Sequence, residues 1–177
     1  MQQTPLFPSV LFATLLAFFS GCGQAPAPDT FRGQESRAAS ATETFSAPFA
    51  GHYDLERDEE RGGHTLKKHV GRTDRQLAER LEHERNISAA STWTDRDAAE
   101  TTVAAALRSA RGKIENWARR GYPRANLALH YDAGRVIGRS LRRGDTQTVD
   151  CTAAVIVLRA QEPNSFFVLT TYPEARE

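Results

Sequence analysis

The chain has 177 residues, 40% of them hydrophobic, which leaves room for one ordinary domain plus something else. Its formal charge of +1 conceals an asymmetry. Residues 23–61 carry four basic and eight acidic side chains, net −4, whereas residues 62–177 carry nineteen and fourteen, net +5. A basic domain behind an acidic leader suits a polyanionic partner, with a merely solvating surface as the plainer alternative.

Val10 to Phe19 form an apolar run too short for a stable bilayer anchor, followed by Ser20-Gly21-Cys22. This is an export-signal pattern. With Cys at the cleavage point it resembles a bacterial lipoprotein signal, departing from it at Phe19 and in having no Lys or Arg before the run. An ordinary signal peptide or a buried apolar helix is the alternative. The resemblance implies a signal peptide over residues 1–21, lipid on Cys22 and, with Gly23 in place of an Asp retention residue, an outer-membrane destination. Residues 22–61 mix Pro, Ala, Ser, Thr and charge without an apolar period. They read as a flexible tether with a local turn around 45–53. If Cys22 carries lipid, only Cys151 is left, so no internal disulfide is available and the core alone must hold the domain. Cys151 sits in an apolar run, where a buried inert thiol fits better than a nucleophile.

From residue 62 to 177 the chain reads as one α+β domain. Thr65 is placed to cap a short helix that Gly71 ends, and Thr73-Asp74-Arg75-Gln76 is a capping box for a second helix reaching about Arg85 through Leu77 and Leu81. Residues 86–93 suggest an extended link or short strand. Thr94-Asp95-Arg96-Asp97 is a second capping box, after which Val103, Leu107, Ala110, Ile114 and Trp117 recur at helical spacing, with Gly112 as a possible divider. Trp117 belongs to the core on this reading. Leu127 to Tyr131 then alternates, and Asp132-Ala133-Gly134 turns it into 135–139 as a hairpin. Val149 to Leu158 and Phe166 to Tyr172 supply two further β-runs. Helices first and strands afterwards predict N-terminal helices on a C-terminal antiparallel sheet. No internal repeat is present.

The chemistry concentrates in residues 62–75, where His64, His69, Lys67, Lys68, Arg72 and Arg75 lie between glycines. Imidazole titrates near neutral pH, and guanidinium or ammonium groups hold phosphate oxygens, so the set suits acid-base work on a phosphodiester. A solvated helix-loop-helix with idle histidines is the bland alternative. On the last run, strict alternation puts Phe166, Val168, Thr170 and Tyr172 on one face, with the Thr170 and Tyr172 hydroxyls ~7 Å apart. Tyr172 fits either a cleft or a cap on the core.

Gly63-His64-Thr65-Leu66, Lys68-His69-Val70-Gly71, Asn86 to Thr92, Gly138-Arg139, Leu141 to Gly144 and Val168 to Pro173 occur in an order that resembles the ribonuclease A-like toxin domain of bacterial contact-dependent growth inhibition proteins, over about 62–174. The resemblance implies a ribonuclease A-like fold without disulfides, a metal-independent endoribonuclease with no cofactor, and RNA as substrate. It places His64, Arg75, Thr170 and Tyr172 at the active site, and His69 with a less defined role. His64 is the expected base and Arg75, with Thr170, the expected charge stabiliser; the acid stays open between His69 and Tyr172. Lys67, Lys68 and Arg72 are expected to bind substrate. A short lipoprotein leader on such a domain resembles lipoprotein toxins passed between bacteria by outer-membrane exchange. That implies an outer-membrane lipoprotein in the producer, action in the recipient cytoplasm, and a monomer apart from a cognate immunity protein. The rival readings are a lipoprotein module that holds an anionic ligand through the basic cluster without turning it over, and a former toxin kept as a surface protein.

Overall fold

The computed structural model describes residues 52–162 and 165–176. The expected signal peptide, the lipid site at Cys22 and the tether up to residue 51 lie outside the described residues.

The domain is α+β, as expected, and begins earlier than residue 62. Asp54 caps α1 (Leu55–Glu59) by accepting from the backbone N–H groups of Glu56 and Arg57. Tyr53 and Leu55 are core residues. Asp58, also buried, accepts from Tyr53 Oη at 2.6 Å and from the Val168 N–H at 2.8 Å. Glu100, buried on the long helix described below, accepts from the Leu55 N–H and from Arg96 Nε and pairs with His52. The last ten residues assigned to the tether are therefore structural.

Two short helices follow, α2 (Thr65–His69) and α3 (Asp74–His83). The Thr73 capping box forms as expected. Thr65 does not cap α2; His64 holds that position without a side-chain bond. The Thr65 hydroxyl instead accepts from the Thr171 N–H at 2.9 Å, tying α2 to the final strand. After β1 (Ala89–Trp93), α4 (Arg96–Ser109) is capped by Asp95, one residue beyond the expected Thr94. Ala110 divides α4 from α5 (Arg111–Ala118), two residues before Gly112.

The expected hairpin does not form. β2 (Leu127–Asp132) pairs with β5 (Ala153–Glu162), whereas β3 (Gly138–Arg142) pairs with β1 and with β4 (Val149–Cys151). The single run from Val149 to Leu158 breaks at Thr152, where the chain leaves one sheet for the other. The result is two antiparallel three-stranded sheets, β1-β3-β4 and β2-β5-β6, the last strand being β6 (Ser165–Glu174). They meet where the Trp93 indole N–H donates to the Thr171 carbonyl at 3.2 Å. Only glycine fits at 138, because a Cβ there would overlap the Thr92 carbonyl and the Pro173 ring. The main core joins Leu55, Trp93, Val103, Leu107, Ile114, Trp117, Ile156, Leu158 and Val168, so α4 and α5 pack on one face of the β2-β5-β6 sheet. Cys151 is buried and unpaired, and burial pushes its thiol up to about 11.

Candidate active site

The strand β6 carries two of the expected site residues, and a bulge decides where they point. Leu158 pairs with Val168 and Val157 with Thr170, so Leu169 is an extra residue on β6. An inserted residue inverts the alternation beyond it. Before the bulge Val168 lies beside Leu158, on the core face. Beyond it Thr170 and Tyr172 pair with Val157 and Val155, on the opposite face, while Thr171 takes the buried side beside Ile156. Strict alternation would have left both hydroxyls among the core residues.

The bulge is also the docking point for α2. The His64 N–H donates to the Leu169 carbonyl at 3.0 Å, and the Gly63 N–H donates to the Asp58 carbonyl at 2.8 Å. A Cβ at residue 63 would crowd the Asp58 and Val168 carbonyl oxygens, so glycine permits the approach. His64 is thereby fixed beside Thr170. His64, His69, Thr170 and Tyr172 line one cleft of about 660 Å³ between β6, α2, α3 and the β1-β3 pair.

The expected arginine is not in that cleft. Arg75 stands in the first turn of α3 with 85% of its side chain exposed, 3.6 Å from Glu79. Helical geometry explains this, since at ~100° per residue Arg75 points about 160° away from the buried Leu77. Arg80, about 60° from Leu77 by the same count, lines the cleft with 19% of its side chain exposed. Its Nη2 donates to Glu84 Oε2 at 3.3 Å. Nε lies 3.3 Å from Glu84 Oε1 without hydrogen-bond alignment, and both Nε and Nη1 are buried with no hydrogen-bond partner. The Thr170 hydroxyl is likewise buried and unpartnered. Arg80 is the residue that sequence reasoning missed; its place three residues after Leu77, on the inward half of an amphipathic helix, was the available signal.

The other expected cations also stand apart from the cleft lining. Arg72 folds its guanidinium back onto the carbonyls of Leu66 and Lys67, closing α2. Lys67 is exposed, and Lys68 approaches Glu84 at 3.9 Å. Lys68 still acts electrostatically. Burial first, and then Lys68, lower the pKa of His64, which keeps the imidazole neutral near pH 7. His69 is buried, and desolvation with the nearby Arg80 brings it down to about 4. Its Nδ1 lies 3.3 Å from the Ser91 carbonyl and its ring 5.4 Å from that of Tyr172, tilted by 31°. Burial and Glu174 raise the Tyr172 phenol above its ordinary range, so it carries its proton. The cleft thus assembles a neutral base, a protonated hydroxyl donor and an underused guanidinium.

Residues 63–173 match the bacterial CdiA-CT RNase A domain family. The chain belongs to that family. It is similar to a chain solved in the crystal structure of the CdiA-CT/CdiI complex from Y. kristensenii 33638, at 31% identity, over 64% of this chain and 100% of that one, with a TM-score of 0.58. No curated protein matches. A CdiA-CT RNase A domain is a ribonuclease toxin module of interbacterial competition, and the α+β arrangement, with no disulfide at Cys151, is the fold expected of it.

Proposed function

We propose that this CdiA-CT RNase A domain cleaves RNA by internal attack of the ribose 2′-oxygen. Neutral His64 takes the 2′-OH proton. The 2′-oxygen bonds to phosphorus as the P–O5′ bond breaks, and Tyr172 gives its proton to the departing 5′-oxygen. The products are a 2′,3′-cyclic phosphate and a 5′-hydroxyl end, with a proton on His64 and a tyrosinate that solvent restores. Arg80 and the Thr170 hydroxyl meet the charge that develops on the phosphoryl oxygens. The observation that carries this reading is the three buried donors without a hydrogen-bond partner, Arg80 Nε and Nη1 and the Thr170 hydroxyl, in one cleft with His64. His69, neutral near pH 7 and packed on Tyr172, serves as a support and not as the acid. The reaction as drawn uses protein groups alone.

The test is RNA of defined sequence incubated with the full chain in EDTA. Cyclic phosphate ends, loss of cleavage in His64→Ala, and resistance of an oligonucleotide with a 2′-deoxyribose at the cleaved position are expected. Products bearing 5′-phosphates, or cleavage at the deoxy position, would sink the mechanism. The pH profile should agree with the roles. kcat/KM falls as pH drops through the lowered His64 value, below ~6.5, and again only above ~10 as Tyr172 ionises.

For delivery, the proposal is a lipid on Cys22, residence on the outer membrane of the producer, action in a recipient cytoplasm and a cognate immunity protein. Support comes from the Ser20-Gly21-Cys22 pattern after an apolar run and from the neighbour having been solved with CdiI. Labelled palmitate should enter the chain in a producing bacterium and fail to enter Cys22→Ser; equal labelling would refute the anchor.

A further inference from the structure

The domain's excess of positive charge is concentrated away from the cleft, although Arg80 lines it. Residues 108–126 contain Arg108, Arg111, Lys113, Arg119, Arg120 and Arg124 against the single acid Glu115, net +5. That equals the entire excess of residues 62–177, yet none of these residues lines the cleft. They occupy the end of α4, α5 and the loop leading to β2. Trp117 and Phe166 meet edge-on at 6.3 Å, which seats α5 on the core face of the sheet whose other face carries Thr170 and Tyr172. Lys113 Nζ donates to the Ala128 carbonyl, so the patch reaches the β2 edge. Among the described residues, Arg111 alone of these cations has a carboxylate partner, Glu115 at 2.8 Å. The loop itself is braced. Trp117 Nε1 donates to the Ala125 carbonyl, Arg124 lies 4.4 Å over the Trp117 ring, and Arg124 Nε and Nη2 are buried without a partner. Tyr122, 52% exposed, stands among the arginines.

We propose that this loop is a second RNA-binding surface, holding the phosphate backbone of substrate that leaves the cleft across the β2 edge, with Tyr122 stacking on a base. The inference rests on the RNase reading. Arginine forks match phosphate oxygens, a phenol face stacks on any base, and a lone exposed aromatic offers little for insertion into a bilayer.

The test uses non-cleavable 2′-O-methyl RNA, a 5-mer and a 20-mer, titrated into the full chain and into Arg119→Ser/Arg120→Ser, both sites being exposed. The 20-mer should bind wild type at least ~10-fold tighter than the 5-mer. The double variant should lose most of that advantage and reduce the salt dependence of log K by about one to two. Tyr122→Ala should weaken the 20-mer alone, by ~5–100-fold. Equal affinity for both lengths, or loss of both alike, would overturn the proposal, as would loss of binding to phosphatidylglycerol vesicles with RNA binding intact. Binding is read without turnover, so an exosite can stand where cleavage fails, and failure of the cleavage test leaves its own mark.

Discussion

The two halves of β6 do opposite jobs on one strand. Ahead of Leu169, Phe166 and Val168 join the helices in the core; beyond it, Thr170 and Tyr172 face away from that core into the cleft. The half that packs has its polar needs met, with the Val168 N–H on the Asp58 carboxylate. The half that faces the cleft leaves the Thr170 hydroxyl without a partner. A buried donor left unmatched costs stability, so its presence beside an Arg80 guanidinium with two unbonded nitrogens suits a ligand with acceptor oxygens. The bulge, and the docking of His64 on its carbonyl, convert a packing strand into one wall of the cleft proposed as the reaction site.

The largest effect should come from the cleft half. Arg80→Gln removes a cation that lines the cleft while keeping the helix, and should lower kcat/KM by ~10²–10³, with little change in unfolding midpoint. If activity persists within a few-fold, the contrast between a packing half and a catalytic half loses its chemical meaning.

Next comes the support under Tyr172. His69 has an ordinary value of 6.5 and is held at about 4 when folded. Between those values the unfolded chain binds more protons, so folding stability drops as pH falls from 6.5 to 4 and this contribution is flat outside that window. The drop is on the order of 3 kcal/mol. Urea unfolding of wild type and His69→Gln across this range measures it: the difference between their stabilities should shrink toward pH 4. Parallel curves would show that His69 titrates freely.

The packing half is tested at Asp58. Removing its carboxylate in Asp58→Ala strands the Tyr53 hydroxyl and the Val168 N–H, and should destabilise the fold by about 2–3 kcal/mol. The variant that still folds should keep its activity at low temperature. Loss of kcat without loss of stability would mean that α1 reaches the cleft more directly than its contacts indicate.

The sequence made much of this legible, and where it misled the causes are physical. The Thr73 capping box, the buried periodicity of Leu77 and Leu81, and the core place of Trp117 follow from local spacing, and the structure shows each of them. Strand pairing does not follow from local spacing. The 127–139 stretch alternates like a hairpin, yet its two parts join different sheets because β2 finds β5 and β3 finds β1. The Leu169 bulge was invisible because nothing in Val168-Leu169-Thr170 marks an inserted residue. The tether was drawn too long because acidic composition hid Tyr53, Leu55 and Asp58, three residues whose partners lie 45 or more positions away or depend on that packing.

Arg75 is the sharpest case, and its prediction is the smallest. The family resemblance placed it at the site, whereas the helical phase set by Leu77 turns it to solvent, where Glu79 is its partner at 3.6 Å and 85% of its side chain is exposed. An exposed pair four residues apart on a helix contributes about 0.3–0.5 kcal/mol. Arg75→Gln should therefore change stability by no more than that and kcat/KM by about two-fold or less, the residual reflecting a lost long-range charge that salt screens. Assayed beside Arg80→Gln on the same RNA, the two variants should differ by ~10²-fold or more. The reverse order of effects would mean that α3 turns when substrate binds and brings its outer face into the cleft, and the assignment of Arg80 would then fall to Arg75.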